Sequence, residues 1–168
     1  MVTANTTPPV PTITASGPTT FCQGDSVILT SSSNTGNTWS PGGATTPSLT
    51  VRTSGNYTVT FTDINNCPVT SSPIAVTVNP VPVQPFINVS GPTTFCSGDS
   101  VILTSSSASG NTWSPGGQTT QNLTVTASGN FSVTVVQAAC SSTSNPVSIT
   151  VNPTPAAPVI TPAGPVDL

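Results

Sequence analysis

Residues 17–56 read GPTTFCQGDSVILTSSSNTGNTWSPGGATTPSLTVRTSGN, and residues 91–130 read GPTTFCSGDSVILTSSSASGNTWSPGGQTTQNLTVTASGN. Of these 40 positions, 32 are identical. A chain that states one pattern twice folds as like modules, and a fold has to serve both copies. After a one-residue deletion the register persists: Cys67 matches Cys140, Pro73 matches Pro146, and VTVNP at 76–80 matches ITVNP at 149–153. It resumes at 158–160 and at Gly164-Pro165. The expected division is therefore an N-terminal linker over 1–10, one repeat over 11–84, a second over 85–157, and the start of a truncated third over 158–168. The chain reads as a piece of a longer array.

Within a repeat the apolar residues alternate at period two, the signature of strands with one dry face. In DSVILTS (25–31), Val27 and Leu29 share a face. In NYTVTFT (56–62), Tyr57, Val59 and Phe61 point one way and Thr58, Thr60 and Thr62 the other. Strands are also expected over 11–14, 37–40, 48–53 and 73–79. Pro41-Gly42-Gly43 reads as a turn, and Asn79-Pro80 and Asn152-Pro153 as repeat boundaries. Six or seven short strands in about 73 residues indicate an all-β sandwich. The Pro-rich linkers at 81–84 and 154–157 predict neighbours held in an extended file.

Composition removes several function classes. Charged residues are 3% of the chain, with one cation, Arg52, and no His. One Arg cannot neutralise a row of phosphates or hold an anionic membrane surface, which excludes nucleic-acid binding. No apolar run reaches the roughly 20 residues that span a bilayer, so membrane insertion is not expected. The N-terminus has no signal-peptide pattern. Without His there is no Ser-His-Asp unit and no His-ligated zinc. The second repeat carries Asp99 as its one acid, too few for a carboxylate pair. A non-enzyme without a cofactor is expected.

Each repeat holds two cysteines, and four cysteines allow three complete pairings. Each repeat should be able to close alone, so Cys22–Cys67 and Cys96–Cys140 are the expected disulfides. Bridging about 45 residues would add roughly 4 kcal/mol. Disulfides imply an oxidising compartment: periplasm, cell surface or outside the cell. Trp39 and Trp113, each just before Ser-Pro-Gly-Gly, are weighed as sugar-stacking platforms for carbohydrate binding against core residues packed between the sheets, and the core is preferred. Asp25 and Asp99 are weighed as calcium ligands against a turn role, and the turn is preferred.

The run GPTTFCxGDSVxLTSSS–GNTWSPGG–SGNYTVT–C–VTVNP resembles the immunoglobulin-like repeats of large secreted proteins of Bacteroidetes-type bacteria. The resemblance implies two tandem immunoglobulin-like β-sandwich domains of about seven strands each, with one intradomain disulfide each. It implies a secreted or cell-surface, structural or adhesive stalk whose partners are neighbouring repeats, further copies in a filament, or surface polysaccharide. The alternative is a carbohydrate-binding module. Asp25-Ser26-Val27 and Asp99-Ser100-Val101 are similar to the O-glycosylation motif of such exported proteins, which makes Ser26 and Ser100 candidate sugar acceptors.

Overall fold

The computed structural model describes residues 7–160 and 164. The linker expected over 1–10 and the third-repeat start expected over 158–168 therefore lie partly outside the described residues. The chain divides into two compact units. One runs to Pro82 and takes in Gln137–Ser141; the other holds Val83–Val136 and continues from Ser142.

In the first repeat the strands are β1 (Ile13–Ala15), β2 (Thr20–Cys22), β3 (Val27–Ser31), β4 (Asn37–Ser40), β5 (Ser48–Val51), β6 (Gly55–Thr62), β7 (Pro68–Thr70) and β8 (Ile74–Asn79). They form a three-stranded sheet in the order β1-β3-β5 and a five-stranded one in the order β2-β8-β6-β4, with β7 added on β6. All pairs are antiparallel except β2 with β8, which run parallel. The second repeat supplies β9 (Ile87–Val89), β10 (Thr94–Cys96), β11 (Val101–Ser105), β12 (Asn111–Ser114), β13 (Asn122–Val125), β14 (Gly129–Gln137), β15 (Cys140–Thr143) and β16 (Val147–Asn152) in the same order.

Alternation places the core. Val27 and Leu29 on β3, Trp39 on β4, Val51 on β5, Tyr57 and Val59 on β6 and Val76 on β8 pack into one cluster. Val101, Leu103, Trp113, Leu123, Val125, Phe131, Val133 and Ile149 repeat it in the second copy. Each cluster draws on both sheets of its own repeat, so each repeat owns a core. Phe61, expected inward, is only half-buried. After β4 the chain reverses through Gly42 and Gly43, both at positive φ. The turn closes with Gly43 N–H on Trp39 O at 2.8 Å.

Serine hydroxyls extend the ladders past their last residue. Ser16 accepts from Ile28 N–H at 3.1 Å through its side chain and donates its own N–H to Ile28 O at 2.9 Å. Ser32 does the same with Thr12, and Ser71 with Val59. Ser90, Ser106 and Ser144 make the equivalent clamps in the second repeat. A hydroxyl can take a backbone donor that would otherwise lose its partner at a strand end, which is costly in a buried setting. This gives the Ser-rich segments a specific structural use.

Two expectations are corrected. In place of immunoglobulin-like β-sandwiches of about seven strands, each repeat has eight strands in two open sheets. Most of the difference comes from β2 and β7, three-residue strands without an alternation pattern. The intradomain disulfides Cys22–Cys67 and Cys96–Cys140 do not form. The one disulfide among the described residues joins Cys22 of the first repeat to Cys140 of the second, and Cys67 and Cys96 are free thiols.

Strand register explains the correction. Cys22 lies level with Asn79, three residues beyond the Gly55↔Val76 pair. Cys67 adjoins Pro68, which is level with Thr62. More than the length of β6 from Gly55 to Thr62 therefore separates the two cysteines, and that length alone is roughly 23 Å at about 3.3 Å per residue. A disulfide needs Cα atoms within about 7 Å. The two cysteines of one repeat stand at opposite ends of it.

Candidate functional site

The cystine is the one chemically distinctive feature that the fold assembles. β2 adds to the edge of β8 with Thr20↔Thr77, Phe21↔Val78 and Cys22↔Asn79. Gln23 N–H then donates to Asn79 O at 2.8 Å, and Asp25 N–H to Cys22 O at 3.0 Å. Between them Gly24, at φ 107°, makes the reversal that a side chain would strain. This small loop presents the Cys22 sulfur beside the end of β8.

The segment Gln137–Ser141, which belongs to the same compact unit, meets this loop. It turns through Ala138 and Ala139, both at positive φ, and delivers Cys140 to Cys22 with a Cα–Cα distance of 5.7 Å. A second contact holds the turn: the Asn79 side-chain amide donates to Ala138 O at 2.9 Å. Cys140 is buried, while Cys22 and Asn79 are half-buried.

The same two elements recur without this junction. On the second repeat, β10 pairs β16 with Cys96↔Asn152. Ser97 N–H donates to Asn152 O at 2.8 Å and Asp99 N–H to Cys96 O at 3.1 Å. The backbone repeats that of the Cys22 loop, yet Cys96 and Asn152 are exposed. At the far end of the first repeat, Asp63 organises the Cys67 turn. One carboxylate oxygen accepts the N–H of Cys67 at 2.8 Å and of Asn65 at 3.0 Å. The Cys67 N–H chiefly holds the Asp63 pKa below its ordinary value, against an opposing desolvation, with the Asn65 side chain and N–H assisting.

Trp39 and Trp113 are each 1% exposed. Their indole N–H groups donate to Thr46 O and Thr120 O, both at 2.9 Å. Stacking on a sugar needs an open ring face, and here both faces meet the core. Ser26 and Ser100 are exposed, as are Asp25 and Asp99. Ser26 lines an open groove of about 490 Å³ with Phe21, Asp25 and Ser16. Among the described residues no three His, Cys, Asp or Glu side chains gather where they could hold a metal ion. No helix among them is long and apolar enough to cross a membrane.

No protein-family model and no curated protein matches this chain. Solved structures do match. One is a chain from the "crystal structure of mouse coronavirus receptor-binding domain complexed with its murine receptor". It is similar at 18% identity with a TM-score of 0.52, over 84% of this chain and 100% of that one. At that identity the likeness speaks to the fold alone. What stands, among the described residues, is an all-β, helix-free fold of two similar parts with a disulfide.

Reading the sequence missed Asn79 and Ala138, the polar pair beside the cystine. The one signal for Asn79 is that Asn79-Pro80 and Asn152-Pro153 recur at the same register, and nothing in the sequence marks Ala138.

Proposed function

We propose that this chain is a non-catalytic structural and adhesive segment of a large secreted or cell-surface bacterial protein, acting as an extended stalk. The observation that carries the reading is that each repeat buries its own copy of one hydrophobic cluster. Modules that each close a core can be added in series without redesign, which is how reach is built from sequence. A disulfide suits an oxidising compartment. The similarity of GPTTFC and GNTWSPGG to Bacteroidetes-type surface repeats supports a bacterial, exported origin. A single cation leaves trypsin-like proteases one side chain to recognise.

Small-angle X-ray scattering on the reduced, monomeric chain tests the stalk. A compact protein of this length has a radius of gyration near 15 Å. An extended stalk gives a clearly larger value with an elongated distance distribution, and a value near 15 Å overturns the reading.

A further inference from the structure

Cys22 and Cys96 occupy one repeat position, and Cys67 and Cys140 occupy another. The observed bond joins the first position of one repeat to the second position of the next. It leaves the Cys96 loop of the second repeat and the Cys67 turn of the first without partners. The two positions lie at opposite ends of a repeat, so neither repeat can satisfy itself. The burial difference points to what is missing: identical loop backbone is half-buried at Cys22 and Asn79, where a cysteine turn covers it, and exposed at Cys96 and Asn152. Asn152 has the same register as the Asn79 amide that grips Ala138 O.

We infer that the Cys96 loop is a socket for the cysteine turn of a further repeat, which a second copy of this chain supplies through its Cys67 turn, so that copies join through a bond of the Cys22–Cys140 kind. The contact is heterologous, using different surfaces on the two partners. Each addition leaves one free Cys96 and one free Cys67, so growth need not close. The turns are not identical. That around Cys67 is one residue longer and carries Ile64, 98% exposed. The receiving loop and its asparagine are conserved between the two repeats of the chain.

The chemistry needs a two-electron oxidant, and a small-molecule disulfide such as oxidised glutathione serves. The Cys96 thiolate attacks one sulfur of the oxidant, forming a mixed disulfide and expelling one small thiolate. The Cys67 thiolate of the second copy attacks the Cys96 sulfur, forming the protein–protein bond and expelling the other. Two protein thiols lose two protons and two electrons, and one small disulfide becomes two small thiols.

The inference deepens the array reading and rests on it only for the choice of a second copy as partner. Scattering tests shape under reduction, and crosslinking tests the bond, so either can fail alone. The experiment mixes equal amounts of Cys67→Ser and Cys96→Ser protein under oxidised glutathione, with non-reducing electrophoresis and peptide mapping as readouts. Wild-type chain should form a ladder. The mixture should stop at dimers, with the Cys96–Cys67 heterodimer well above the one-half share that random pairing gives. Adding Asn152→Ala to the Cys67→Ser protein should slow heterodimer formation several-fold while leaving a small-molecule thiol reagent's rate at Cys96 unchanged. Wild-type chain that stays monomeric, a heterodimer share of one-half or less, or a mapped Cys22–Cys67 or intrachain Cys67–Cys96 bond overturns the inference.

Discussion

Replacing Trp39 with alanine should weaken the first repeat by about 4–5 kcal/mol and leave the second unchanged. The indole is 1% exposed and bridges β4 to the opposite sheet, packed with Val27, Leu29, Val51, Tyr57, Val59 and Val76. Burying an aromatic of this size removes about 200 Å² from water, worth ~5 kcal/mol at 25 cal/mol per Å². Alanine retains a small part of that, and Thr46 O loses the indole N–H it accepts at 2.9 Å. The expected loss is about 4–5 kcal/mol, in line with the 3–5 kcal/mol typical of Trp→Ala in a core. A unit of this size has about 4–11 kcal/mol in total, so the loss takes from about two-fifths to all of it. Trp113 then becomes the one indole left and reports on the second repeat, whose cluster includes no first-repeat residue. Denaturant titration of Trp39→Ala should show a blue-shifted Trp113 emission in buffer, with an unfolding midpoint near wild type. In the same titration far-ultraviolet circular dichroism should lose close to half its β signal at a clearly lower midpoint, or already in buffer. A loss below about 1 kcal/mol, or Trp113 exposed in buffer, would refute the argument that each repeat is held by its own core.

Three smaller perturbations follow from local geometry. Gly110, at φ +75°, sits where a Cβ would lie 2.6 Å from Val136 O, whereas Gly117, at φ +69°, has open space; Gly110→Ala should therefore cost more than Gly117→Ala, about 3 against about 1 kcal/mol by chemical denaturation. Ser71→Ala strands the buried Val59 N–H that its hydroxyl accepts at 3.1 Å, and calorimetry should register a loss of about 1–3 kcal/mol. The Asp63 pKa is lowered by the Cys67 N–H. Its contribution to stability is therefore present above the unfolded-state value near 3.9 and fades as pH falls through the lower folded-state value. An NMR titration should find Asp63 titrating below a model aspartate, and Asp63→Asn should abolish its part of the acid-side slope.

What the sequence made legible was whatever repeats at period two. The strand at 37–40 has the expected bounds, and β3, β6 and β8 begin within two residues of expectation, because Val27, Leu29, Tyr57, Val59 and Val76 alternate with polar neighbours. β2 and β7 were invisible, since three residues cannot establish a period and TFC and PVT carry no turn signal. Those two short strands fix where the cysteines stand. With β2 unplaced, nothing told that Cys22 lies level with Asn79 while Cys67 lies beyond Thr62. Pairing by repeat was then the simplest reading, and it failed on a distance that only register supplies. The indoles were legible as alternatives and needed the structure to place them in the core.

The serine clamps at Ser16, Ser32 and Ser71 hold the ladder ends with neutral groups. In a chain with one cation, attraction between opposite charges has almost no share in cohesion. Mobile ions weaken charge–charge attraction and leave such contacts nearly untouched. The melting temperature should therefore be much the same in fresh water and in brine, an indifference that would suit the exported role proposed above.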